Sequence, residues 1–155
     1  MRFEAWFLAL LPLISGCGDK SAVTLTASIT DAMVTVQDGA LGASTSGDFT
    51  LVLSLGPEAP RAATVTLGNF ALQSEQGTAL IDPLPTDSGS ASFPLDVNKG
   101  QNISLPFTLN VMKLLTPDQK QALCAGKVRI VGTVMDTLSG GTDSAQSVAV
   151  SPSCP

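Results

Sequence analysis

The chain has 155 residues, with 13 acidic and 8 basic side chains, a net charge of −5 and no histidine. A histidine base for a serine or cysteine nucleophile is therefore excluded, as is any histidine-ligated zinc or copper, and the commonest hydrolase mechanisms go with them. The few lysines and arginines are scattered, so neither nucleic acid nor an anionic lipid surface is expected as a partner, and no cofactor is expected.

The first element is an apolar run from Ala5 to Ile14, with Arg2 ahead of it and the small residues Ser15 and Gly16 at its end. At about 1.5 Å per residue such a helix reaches roughly half of the ~30 Å needed to span a bilayer, so the run reads as a secretory signal and not as a membrane anchor. Cys17 follows at once: small side chains admit the backbone to a peptidase cleft, and the thiol is an alkylatable nucleophile.

Ile14-Ser15-Gly16-Cys17 resembles the lipobox of bacterial lipoproteins. The resemblance implies thioether attachment of a diacylglycerol to Cys17, cleavage between Gly16 and Cys17, and N-acylation of the new terminus. It also implies residence in the bacterial cell envelope, anchored in the lipid bilayer. Gly18 stands where an aspartate would mark inner-membrane retention, so the outer membrane is the destination implied. On this reading residues 1–16 are the signal, 17–22 a lipidated tether, and 23–155 one domain, large enough to bury about two-thirds of its unfolded surface. Trp6 leaves with the signal, and the mature chain then has neither tryptophan nor tyrosine.

Within the domain, Val23, Leu25, Ala27 and Ile29 alternate with hydroxyl residues as a half-buried strand does, until Asp31 interrupts. Val34 and Val36 resume that strand or pair elsewhere; Asp38 to Gly47, rich in small residues, reads as a mobile loop. Phe49, Leu51, Leu53 and Leu55 give the clearest strand. From Ala63 the apolar parity runs through Leu67 and then shifts at Gly68 to Phe70 and Leu72, which suggests a β-bulge or bend. Residues 74–90 read as a long loop with at most a short strand around Ala79-Leu80-Ile81. Phe93, Leu95 and Val97, a turn at Asn98-Lys99-Gly100-Gln101, and the long alternation Ile103 to Val111 read as a hairpin, with Pro94 marking an edge or a strand start and Pro106 an edge or a bulge.

Thr116 as N-cap, Pro117 in the first helical position, Gln119 closing a capping box and Gly126 beyond the end predict a helix of about two turns. Val128 to Val134 is then a strand, Ser139-Gly140-Gly141 a turn, and Ala145 to Val150 the last strand. These elements add up to an all-β, immunoglobulin-like antiparallel β-sandwich with one short helix before the last two strands. Residues 100–150, with Gly126 and the run Val128-Arg129-Ile130-Val131-Gly132-Thr133-Val134, are similar to the water-stress and hypersensitive-response domain, a likeness that implies the sandwich and no activity.

With Cys17 lipidated, Cys124 and Cys154 form an even pair in an oxidising compartment, and a disulfide between them is expected. If the last strand lies beside Val128 to Val134, Cys154 is carried back towards Cys124. Asp136 and Asp143 flank a glycine-rich turn and could offer oxygens to calcium, but the close-spaced acids of calcium loops are missing and a hairpin tip accounts for both. Asp82 and Asp87 are explained by turn formation, and Asn102-Ile103-Ser104 matches a glycosylation acceptor only formally. No catalytic residue is assigned. The expectation is a non-catalytic binding or structural module of the envelope, the alternative an accessory subunit of an envelope assembly or secretion complex, with an envelope protein as partner.

Overall fold

A computed structural model describes residues 23–111 and 114–155. Nine strands and one helix follow in order: β1 (Leu25–Gly39), β2 (Gly42–Leu55), β3 (Ala63–Ser74), β4 (Ala79–Ile81), β5 (Thr86–Asp87), β6 (Leu95–Val97), β7 (Asn102–Val111), α1 (Pro117–Cys124), β8 (Val128–Asp136) and β9 (Thr142–Gln146). They form two antiparallel sheets, one ordered β1-β2-β7-β5 and the other β4-β3-β8-β9, with β6 also paired to β3. That is the immunoglobulin arrangement, ABED facing C′CFG, with α1 in the connection before the last two strands.

Two bulges keep the apolar residues aimed between the sheets. In β1 the inward positions are Leu25 and Ile29 before Asp31 but Val34 and Val36 after it, and the register against β2 slips between Thr30 and Met33. Asp31 takes a positive φ of 52°, which Asp tolerates better than most residues. In β3 the register against β8 slips between Leu67 and Phe70, so Val65 and Phe70 both point inward despite their odd spacing. Each slip costs ladder bonds locally but avoids turning half a strand's apolar set to water.

The middle of the sandwich is aromatic. Phe49 and Phe107 sit opposite each other on β2 and β7 and stack at 5.1 Å, while Phe70 of the other sheet leans on both at 5.0 and 5.3 Å. Phe70 fits because its β8 neighbour is Gly132, where any Cβ would collide with the ring. Leu51, Leu53, Leu72, Val65, Ile130 and Val134 fill the space around the trio and are almost completely buried.

Three expectations are corrected. Residues 38–47 are not a mobile loop: β1 runs to Gly39, Ala40 and Leu41 make a two-residue turn, and β2 begins at Gly42. Ala43 and Thr45 continue the inward parity of Phe49 to Leu55 and are buried, but as small residues they hide that parity in the sequence. Gly47 lets β1 approach, since a Cβ there would collide with the Met33 carbonyl. The hairpin read from Phe93 to Val111 does not form. β6 pairs with β3 and β7 with β2, so the turn at Asn98–Gln101, closed by the Gln101 N–H on the Asn98 carbonyl at 3.0 Å, arches from one sheet to the other. Finally, the last strand spans Thr142–Gln146 instead of Ala145 to Val150: the Ser147 N–H still donates to the Ile130 carbonyl at 3.0 Å, but the Ser147 hydroxyl, not its carbonyl, accepts the Ile130 N–H, and the chain pairs with β8 again only at Val150 and Val128.

The sheet edges are covered only in part. β5 covers only Thr108 and Leu109 of β7, leaving Pro106 on an otherwise open stretch of edge, as its missing N–H suggests. Beyond its bulge, β1 is bridged by the C-terminal tail at Thr35, opposite Ser153.

Adding a methyl at Gly132 forces Phe70 out of its seat, so Gly132→Ala should lose about 1–3 kcal/mol in denaturant unfolding. Thr45, in contrast, is buried with a hydroxyl that has no hydrogen-bond partner. Thr45→Val should therefore gain roughly 1 kcal/mol; a loss of that size would show that the hydroxyl is satisfied after all.

Candidate functional site

The functional candidates lie at opposite ends of the sandwich. At one end α1 starts where the sequence places it: Thr116 Oγ1 accepts from the Gln119 N–H at 3.2 Å, and Gln119 Oε1 accepts from the Thr116 N–H at 3.0 Å. The same Gln119 side chain donates through Nε2 to the Leu80 carbonyl, and Lys120 Nζ meets the Asp38 carboxylate at 2.7 Å. The helix is thus tied to β4 and to the β1–β2 hairpin, with Leu123 buried beneath it. The exposed ion pair adds little to stability by itself.

Cys124, the last residue of α1, is bonded to Cys154 with Cα atoms 6.0 Å apart. The tail reaches it by a route the sequence did not indicate. Val128 and Val150 exchange backbone hydrogen bonds of 2.9 Å, and then the chain crosses to the other sheet. There the Ser153 N–H donates to the Val34 carbonyl at 2.9 Å, and the Val36 N–H donates to the Ser153 carbonyl at 2.8 Å. Tail and disulfide together clasp β8 of one sheet to β1 of the other. At this end Leu41, on the β1–β2 turn, is 88% exposed, and Leu114 is 45% exposed.

At the other end, where the chain enters β1, a cleft of about 510 Å³ opens between the N-terminal segment and two loops. Val23, Leu25, Pro60 and Leu138 give it apolar walls, and Asp136, Ser139 and Asp143 its polar margin. The Gly56 N–H donates to the Thr24 carbonyl at 3.3 Å, fixing the entering chain. Arg61 donates to the Thr137 carbonyl at 2.6 Å, joining the two loops behind the cleft.

Asp136 explains the shape of the β8–β9 turn. It occupies the last inward position of β8 and is buried, and its carboxylate accepts from the Leu138 N–H at 2.6 Å, the Ser139 N–H at 2.9 Å and the Ser139 hydroxyl at 2.7 Å. Burial alone pushes its pKa up and is the largest single influence, but the three hydrogen bonds together outweigh it and hold the group below the usual carboxylate range. Asp143 is exposed on β9. Among the described residues, no three histidine, cysteine, aspartate or glutamate side chains gather as metal ligands would.

The other residues singled out in the sequence fall apart in space or in role. Asp87 accepts from the Gly89 N–H at 2.8 Å in its own turn, and Asp82 precedes Pro83 in the preceding loop. Asn102 to Ser104 lie within β7. A second recess of about 320 Å³ sits against the Gly68 bulge between Phe70, Leu84 and Phe107. Gly16 and Cys17 lie outside the described residues. The cleft was missed because Pro60 and Leu138 stand between the strands that were read and were given no role; an apolar Leu138 just before the Ser139-Gly140-Gly141 turn was the available signal. No described helix is long and apolar enough to cross a membrane. Comparison with protein-family models, with curated proteins and with solved structures returned no match.

Replacing both Cys124 and Cys154 by serine frees the tail and unclasps the sheets. With a sequence separation of 30, loop-closure entropy predicts a loss of about 3–4 kcal/mol, read as a lower unfolding midpoint; no change would mean that the backbone bonds hold the tail unaided.

Asp136 gives a pH signature. Because its folded pKa is depressed, its contribution is complete above the unfolded value of about 3.9 and is lost as the pH falls through the lower folded value. Asp136→Ala should therefore cost about 1–3 kcal/mol at neutral pH, and the gap to the native chain should close in acid. A gap independent of pH would assign the loss to packing.

Proposed function

We propose that the protein is a lipid-anchored module of the bacterial cell envelope that binds or scaffolds and does no catalysis. The observation that carries the reading is Ile14-Ser15-Gly16-Cys17 at the end of a short apolar run, a few residues before a sandwich that begins at Leu25. The Cys124–Cys154 bridge supports it, because structural disulfides persist in oxidising compartments such as the periplasm. Two or three acyl chains, at about 0.8 kcal/mol per buried methylene, hold such a protein on a bilayer essentially permanently. The outer membrane is the proposed site, from Gly18 after the cysteine. The likeness of residues 100–150 to the water-stress and hypersensitive-response domain belongs to the same proposal and adds no activity to it. The absence of histidine from the chain supports a non-catalytic role.

One observation favours a second reading, an accessory subunit of an envelope assembly or secretion complex. Leu41 is held almost fully in water at a hairpin tip, with Leu114 also exposed at the same end. Leu114 lies beside Gly42, the residue after Leu41, and exposed apolar surface that is contiguous marks an interaction site. Cross-linking in intact cells followed by affinity capture separates the two: a stoichiometric envelope complex favours the subunit, and an uncomplexed protein the free module.

The anchor itself is tested by fractionation. The native protein should sediment wholly with membranes, and Cys17→Ser should abolish acylation and move the mature domain to the soluble fraction or strand the precursor. A Cys17→Ser protein that matures and fractionates as the native one does would contradict the proposal.

A further inference from the structure

We propose that the cleft at the N-terminal end of the sandwich faces the bilayer and takes an acyl chain of a membrane phospholipid. The domain then stands on the membrane with α1, the disulfide and the Leu41 turn pointing away. The inference rests on the proposed acylation of Cys17.

Chain length sets the geometry. Between Cys17 and Val23, a fully extended backbone reaches no more than about 20 Å. The segment joins the domain beside the cleft, since Val23 and Thr24 are part of the cleft's wall. β1 then runs away from this end for 15 residues, roughly 45 Å, to the turn that carries Leu41. A short tether therefore holds one end of the sandwich near the lipid and places the other far from it.

The near end is suited to lipid. The cleft volume of about 510 Å³ lies within the usual range for ligand sites, and its walls are Val23, Leu25, Pro60 and Leu138. Val23 is 44% exposed, apolar surface that an acyl chain would cover. The one buried acid there, Asp136, spends its carboxylate on its own turn, and Asp143 lies at the exposed margin, level with head groups. An acyl chain gains little by exchanging bilayer hydrocarbon for an apolar wall. The contact is favoured because the cleft leaves water and the tether holds it at high effective concentration. No charge attraction holds it, since the chain is acidic and Asp143 would meet anionic head groups, so added salt should not weaken it.

The mature chain's lack of tryptophan makes the test background-free. Full-length Pro60→Trp, Leu138→Trp and Leu41→Trp variants would be matured in cells and reconstituted in phosphatidylethanolamine and phosphatidylglycerol vesicles with brominated acyl chains. Retention of the disulfide and of a β-type circular dichroism spectrum would show that each is folded, and Pro60→Trp and Leu138→Trp probe opposite walls, so either suffices if the other misfolds. Emission from the cleft tryptophans should fall roughly twofold or more relative to unbrominated vesicles, at low and high salt alike, with Leu41→Trp unaffected. Unquenched cleft tryptophans, or equal quenching at both ends, would overturn the proposal. The mass of the N-terminal peptide from the same samples separates the two failures: an acylated Cys17 with no quenching refutes the cleft alone, whereas an unmodified Cys17 refutes the anchor and the cleft with it.

Discussion

Phe70 closing against Phe49 and Phe107 is the contact on which the rest of the sandwich depends. It is the aromatic seam between the two sheets, and it exists only because Gly132 leaves room above β8 and the Gly68 bulge turns Phe70 inward. Without the bulge, Phe70 and Leu72 would face solvent while Val65 faced the core, since a one-residue slip exchanges the faces of a strand. The Asp31 bulge does the same for Val34 and Val36. With few aromatics and a modest domain, losing either phase correction would remove a large part of the apolar burial that opposes chain entropy.

Legibility followed side-chain size. Where large apolar residues alternate, as in Phe49 to Leu55 or Ile103 to Leu109, strand and facing could be read directly. The helix was readable because Thr116, Pro117 and Gln119 each have a separate backbone task, and the bridge because only two cysteines remain once Cys17 is assigned. The stretch from Gly42 to Gly47 was not, because Ala43 and Thr45 carry the parity too faintly and glycine there signals a close approach of β1, not looseness. Pairing was less legible than strand identity. Alternation says which face of Leu95 to Val97 is buried but not which strand lies beside it, and so a turn that arches between sheets read as a hairpin. Asp136 continues the inward parity of β8, and an acid at such a position is a sign of a satisfied buried carboxylate that spacing alone did not convey.

The two ends of the domain are built differently, and the functional reading follows from that. One is stapled by the disulfide, the capped helix and the tail, which join the two sheets and steady the Leu41 turn. The other is made of loops around an apolar cleft where the chain enters β1. If the proposed acylation holds the domain at its open end, the stiffened far end presents a defined surface at a set distance from the bilayer.

The most direct test of this account is the mass of the N-terminus of the protein isolated from its native membrane. The account predicts a chain that begins at Cys17 and carries a diacylglyceryl group on Sγ. A chain that begins elsewhere, or that begins at Cys17 with an unmodified thiol, would contradict it.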